Sequence, residues 1–283
     1  MSKLKISPHA HDFGACITGL NLSEALSTST ITELREHWLT YQVLYFPDQP
    51  LSHDQLERFT TYFGEHGDDP YIKAIDNHPN VLEIRREPNE EVAPFGASWH
   101  SDWSFQSSPP SATILHSKIV PPQGGNTLYA DGFRAYEHLD QTLADELSEL
   151  TAIHSARRPY SQEGFERTGG DRRSMTILPS DNAWDTIEHP VIRTHPESGR
   201  KALWVNPVYT IGIQGMPDDE ADQLLQRVFS HALSAEFIYD HHWAENMLTM
   251  WDNRSVQHCA QGGYDGHRRV LHRTTVAGTR PFL

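Results

Sequence analysis

Residues 112–131 read ATILHSKIVPPQGGNTLYAD. Two runs of strand-forming residues, 112–120 and 126–131, flank PPQGGN, a turn signal built from proline, glycine and asparagine. The same alternation recurs along the chain at VLEIRR (81–86), HPVIRTH (189–195), KALWVN (201–206), EFIYDHHW (236–243), MLTMWDN (247–253) and RRVLHRTTVAG (268–278). Helices interrupt it at about 132–149 and at 217–233, where Leu224, Leu225, Val228, Phe229 and Ala232 form one apolar face. Near the start, a helix is predicted over Thr30 to Tyr41, followed by the buried strand VLYF (43–46). Ser52 then caps a helix carrying Leu56, Phe59 and Phe63 on one stripe. Many short strands with a few covering helices predict a mainly β fold, a double-sheet barrel or jelly roll, rather than a parallel α/β sheet.

The 283 residues show no repeat or interdomain linker, which predicts a single domain over 1–283. The polar, glycine-rich stretch 159–183 has little periodicity and is expected to form a mobile loop or lid. No apolar run approaches the roughly 20 residues needed to cross a bilayer, so no membrane span is expected. The N-terminus lacks an apolar leader, and two cysteines give no disulfide framework; a cytoplasmic protein is expected. A formal charge of −15 argues against nucleic acid as partner, and requires any site for an anion to be made locally by arginines.

The chemistry begins at SWHSDWSF (98–105). In a strand, residues two apart share a face, so His100 and Asp102 can offer an imidazole nitrogen and a carboxylate oxygen to one point. That pair alone is weak. Far downstream, MWDNRSVQHCA supplies His258, and two histidines with one carboxylate form the facial triad that leaves positions open on Fe(II). After it come Arg269 and Arg273, an even number apart on a predicted strand, each able to offer a fork to a carboxylate, sulfonate or phosphate.

These stretches, together with GACITGLNL, YQVLYFPDQPLSHDQLERFTTYFGE, PPQGGNTLYAD and RRVLHRTTVAGTRPF, resemble the iron(II)- and 2-oxoglutarate-dependent dioxygenases of the taurine dioxygenase (TauD/TfdA) family along nearly the whole chain. The resemblance implies a double-stranded β-helix (jelly roll) core with flanking helices. It implies iron held by His100, Asp102 and His258, and 2-oxoglutarate held by Arg269 with a hydrogen bond from Thr127. Arg273 would grip the anionic group of a small anionic or zwitterionic substrate: a sulfonate, sulfate ester, phosphonate or carboxylate. Oxygen would be consumed, with succinate and CO2 released as a C–H bond is hydroxylated, and a homodimer or homotetramer would be the assembly. At two pocket positions the sequence departs from taurine-specific members, which carry a histidine and an asparagine where Asp69 and Gly96 stand. Asp69 suits a cationic end of a substrate; Trp103 and Tyr209 are candidate pocket walls. Two other readings use the same residues: a zinc-dependent hydrolase, and a non-catalytic organic-acid-binding protein on a jelly roll. The first needs a general base and has no use for a paired arginine clamp. The second expects a ligand to be missing, and none is. His9, His11, His241 and His242 have metal-like spacing but no third partner, and read as structural or surface residues.

Overall fold

A computed structural model describes residues 4–283. Its fold is mainly sheet with several helices. The largest sheet has eight strands, and its centre runs in the order Val43–Phe46, Leu248–Asp252, Ala112–Ile119, Arg269–Val276 and His78–Arg86. A three-stranded sheet pairs Thr127–Asp131 with Ile238–His241 on one side and Val256–Ala260 on the other. Both are antiparallel at these pairings, with one-residue alternation that sends successive side chains to opposite faces.

That alternation sorts the large sheet into two layers of contact. One face meets the helices Thr28–Tyr41 and His53–Thr61, packing Leu34, Trp38, Leu56 and Phe59 against Phe46, Ile114, Leu248 and Met250. The other face meets the three-stranded sheet, where Val43, Leu115, Trp251 and Leu271 lie against Tyr129 and Val256. Ser52 caps the second helix as its sequence predicts, in a reciprocal pair with Gln55. A separate cluster gathers Leu224, Leu225, Val228 and Phe229 of Asp218–Ala232 over Val191, Leu203 and Ile213.

Three local expectations change. The helix expected over 132–149 breaks into Gly132–Glu137 and Gln141–Ser148, because Asp140 leaves the helical conformation and its carboxylate accepts from Thr142 N to start a new helix. The run 189–195 divides between Thr186–Pro190 and Ile192–Thr194, which pair with different strands. Residues 159–183, expected as a loop or lid, contain the helix Gln162–Arg167 and bury Tyr160, Phe165, Met175 and Ile177 in a cluster with Trp103 and Tyr209.

A buried ionic knot sits where the strand Leu248–Asp252 ends. Arg254 donates to Asp252 through Nε (2.8 Å) and Nη2 (2.7 Å), and His195 Nε2 lies 3.0 Å from the same carboxylate. Burial would raise the Asp252 carboxyl, but the Arg254 charge outweighs it and holds the group well below the usual carboxylate range. Removing one partner of a buried pair costs about 3–5 kcal/mol. Asp252→Asn should therefore lower the unfolding free energy by about that amount at neutral pH, read from urea denaturation. Because the folded-state pKa is depressed, this stabilisation is full above the unfolded value of about 3.9 and is lost as pH falls below it. The gap between variant and wild type should close in strong acid; a constant gap would contradict the ionic origin.

Candidate active site

The site is assembled by a single pair of backbone hydrogen bonds. His100 N donates to His258 O (3.1 Å) and His258 N to His100 O (2.8 Å), an isolated antiparallel bridge that ties an irregular segment to the strand Val256–Ala260. Beyond it the chain turns rather than continuing as a strand, with Trp103 at φ 49°. Shared strand parity is therefore not what joins His100 to Asp102; the turn brings the carboxylate back. Asp102 Oδ1 lies 3.6 Å from His100 Nε2, Asp102 Oδ2 lies 3.8 Å from His258 Nε2, and all three side chains are buried. They form one of two groups of three metal-capable side chains with converging donor atoms among the described residues, and the other, Asp54, Glu57 and His78, is more exposed.

Protonation states suit ligation. Burial lowers the pKa of both imidazoles, keeping them neutral. His100 Nδ1 lies 2.7 Å from Ser98 O; as a donor there it leaves Nε2 with a free lone pair toward Asp102. Burial would raise the Asp102 carboxyl, but Arg273 and the two rings hold it at about 2. A chain of donors fixes this carboxylate: Trp251 Nε1 donates to Asn253 Oδ1 (2.9 Å), Asn253 Nδ2 to Thr113 Oγ1 (2.8 Å), and Thr113 Oγ1 to Asp102 Oδ2 (2.5 Å).

A small cavity of about 40 Å³ touches His100, Asp102, His258, Thr127, Arg269 and Arg273 together. Alternation along Arg269–Val276 puts Arg269, Leu271 and Arg273 on that side, as the even spacing predicts. Arg269 is buried, donates through Nη2 to Gly125 O (3.0 Å), and keeps Nε without a partner. Thr127 Oγ1 accepts from Trp243 Nε1 (3.0 Å), so the hydroxyl proton remains available to another acceptor. Arg273 Nη2 lies 3.2 Å from Asp102 and 3.3 Å from Asp69, without hydrogen-bond alignment to either. The Trp103 indole donates to Asp69, and its ring stacks 4.8 Å from the Arg273 guanidinium. Asp69 and Trp103 thus stand behind Arg273 and line neither this cavity nor the larger one beside it.

The larger cavity, about 590 Å³, shares Phe95, Gly96 and His100 with the smaller and is walled in part by Tyr209. Gly96 sits at the junction with φ 75°, and a Cβ there would lie 3.4 Å from His100 Cε1. The other singled-out histidines keep apart from the site. His9 meets Tyr45 Oη, buried His241 meets Tyr239 and Thr249, and His11 and His242 are exposed.

The family model described as taurine catabolism dioxygenase TauD, TfdA family matches residues 5–275. The chain belongs to that family. It is 32% identical to the alpha-ketoglutarate-dependent 2,4-dichlorophenoxyacetate dioxygenase of Cupriavidus pinatubonensis, covering 93% of this chain and 94% of that one. It is 30% identical to an alkylsulfatase of Acinetobacter baylyi, over 94% of this chain and 82% of the relative. Among solved structures, AAD-2 in complex with Mn(II) and N-oxalylglycine superposes with a TM-score of 0.82 at 26% identity, over 99% of both chains. This TauD/TfdA-family protein is a 2-oxoglutarate-dependent dioxygenase that uses Fe(II), 2-oxoglutarate and O2.

Sequence reasoning did not single out Thr113, Asn253 or Trp243. Trp251 and Asn253 share parity within the quoted WDN and were open to discovery; nothing local marks Thr113. Gly125 is needed by Arg269, since its φ is 69° and a Cβ would stand 3.2 Å from Arg269 Nε. Gly125→Ala should cost about 1–2 kcal/mol from the left-handed backbone alone. It should also weaken 2-oxoglutarate binding, measured by calorimetry beside urea denaturation; unchanged affinity would mean Arg269 adjusts freely.

Proposed function

We propose that His100, Asp102 and His258 hold Fe(II), that Arg269 and Thr127 hold 2-oxoglutarate, and that Arg273 grips the anionic group of a small organic substrate, which is hydroxylated. What supports this reading most is that all six side chains face one small buried cavity. Their donor set fits the groups. Two neutral imidazoles and an ionised carboxylate suit a divalent iron with open positions, and Arg269 and Arg273 each bring buried N–H groups without partners. Bound iron, 2-oxoglutarate and oxygen supply the oxidising chemistry, with succinate and CO2 as co-products.

The chain's own residues do the rest. The Trp251–Asn253–Thr113 relay aims one Asp102 oxygen and leaves the other for the metal. Arg269 fixes the far carboxylate of the co-substrate, so its 2-oxo end is held without fresh entropic loss. Asp69 and Trp103 act on the substrate through Arg273. The indole and carboxylate hold the guanidinium in place, and Asp69 offsets part of its charge, so an incoming anion must be a strong acceptor. Tyr209 forms a wall of the outer space. The reading extends to a single domain with the two facing sheets as a double-stranded β-helix (jelly roll), and with 159–183 acting as a lid over the larger cavity. Two free cysteines and the lack, among the described residues, of a helix able to cross a membrane fit the cytoplasm. Relatives named for a phenoxyacetate, for alkyl sulfates and for sulfonates support carboxylates, sulfate esters and sulfonates as substrates, and the proposed class extends to phosphonates and zwitterions.

Anaerobic Fe(II) with 2-oxoglutarate should give a weak visible charge-transfer band, absent in His100→Ala; a band that survives would remove His100 from the metal. Arg269→Ala should raise the KM for 2-oxoglutarate, and Arg273→Ala that for the primary substrate in succinate assays. Each change should be about thirtyfold or more, as loss of about 2 kcal/mol at a buried charged contact implies. Equal effects of both variants on both ligands would refute the division. Thr113→Val should fold normally yet weaken metal binding by about 10–100-fold, read by Co(II) titration.

A further inference from the structure

The larger cavity has a wall that the reaction itself does not require. Arg158, Arg167, Arg172 and Arg173 all line it, against a single carboxylate, Glu91. The chain as a whole carries a formal charge of −15, so this concentration of positive charge runs against the global balance. All four arginines come from one short segment that packs over the site through Tyr160 and Phe165.

Arg173 has a close counter-charge, Glu90 at 3.8 Å, and Asp222 acts on Arg158 from farther away. Among the described residues, no carboxylate lies within 4.0 Å of Arg158, Arg167 or Arg172. Backbone carbonyls orient the guanidiniums instead. Arg158 Nη1 donates to Pro207 O and Thr210 O (2.7 Å each), Arg167 Nη2 to Arg158 O (3.1 Å), and Arg172 Nε to Gly169 O (3.2 Å). Each of those three has five N–H groups and uses one nitrogen in this way, so each keeps donors for a ligand. Burial, followed by the neighbouring charge of Arg157, lowers the Arg158 pKa; Asp222 opposes this in part, and Arg167 adds a smaller push downward. The segment therefore holds like charges close together, an arrangement that an anion would relieve.

Much of the remaining lining is apolar, including Val92, Pro94, Phe95, Ile177 and Val208, with Ser98 and Thr168 among the polar exceptions. A cavity of about 590 Å³ falls in the range of ordinary ligand pockets and is far larger than a two-carbon zwitterion needs. Phe95, Gly96 and His100 connect it to the small cavity, and the absent side chain at Gly96 keeps the junction wide.

We infer that this outer chamber is a second anion subsite, and that the preferred substrates are elongated molecules with an acidic group at each end. One acid would meet Arg273, an apolar middle would lie along Phe95 and Val208, and the distal acid would meet Arg158, Arg167 and Arg172. The inference rests on Arg273 as the inner anion grip.

Octyl sulfate and its ω-carboxylated counterpart, 8-(sulfooxy)octanoate, test it by calorimetry on the full-length protein loaded with Mn(II) and N-oxalylglycine under anaerobic conditions. The expected result is at least tenfold tighter binding of the doubly charged probe, with the advantage shrinking as salt rises. In Arg167→Glu/Arg172→Glu, both positions being exposed, the advantage should vanish while octyl sulfate binds within twofold of wild type. Arg167→Lys/Arg172→Lys should retain most of it. Equal binding of the two probes by wild type, binding of neither, or an advantage that survives charge reversal would overturn the inference. Arg273→Ala separates the two readings: it should weaken both probes alike. If it leaves both unchanged, the inner grip is wrong whatever the outer chamber does.

Discussion

Two backbone hydrogen bonds between His100 and His258 are the constraint on which the site depends. One partner belongs to an irregular segment, the other to a strand of the three-stranded sheet. Backbone groups cannot shift independently of the chain, so this bridge sets the separation of the two imidazoles before any side-chain contact does so. The turn after it then has one task, to return Asp102 between them. Buried backbone donors and acceptors are costly to leave unpaired, which makes the bridge hard to break without losing the fold around it.

From that bridge outward, the molecule is layered by purpose. The inner face of the large sheet carries Thr113, Trp251, Arg269 and Arg273, and its outer face carries the apolar side chains that receive the two N-terminal helices. Alternation within single strands therefore divides labour between chemistry and stability. The ionic knot is at Asp252, the last residue of one such strand, next to Asn253 in the relay to Asp102. Stability and positioning meet there within two residues.

The sequence made most of the strands and both cavity-facing arginines legible, for a physical reason. Arg269 and Arg273 obey a two-residue period that the strand honours, and Ser52 and Gln55 carry a capping signal that is local. The metal-capable group was found by the right residues for an incomplete reason, since a turn rather than a strand joins His100 to Asp102. Longer-range facts were not legible. Nothing in the spacing says that Trp103 would face Arg273 or that Asp69 would sit behind it, because those contacts depend on how segments separated by dozens of residues pack. The 159–183 stretch lacked periodicity, and its helix Gln162–Arg167 is too short to show any. The helix break before Asp140 was missed although its signal is local, the Asp140 carboxylate accepting from Thr142 N to start a new helix.

Trp103 carries an implication for anyone who would redesign this protein. A tryptophan with φ 49° occupies a conformation that glycine adopts freely, yet its ring is fully buried and a glycine there would leave a cavity whose cost exceeds the relief of strain. Here the backbone strain is the cost of swinging a large ring under a guanidinium and its N–H onto a buried carboxylate. A glycine would relax the chain and leave Asp69 and Arg273 to find new arrangements. Replacement at this one position would lose both core packing and the orientation of the Arg273 guanidinium.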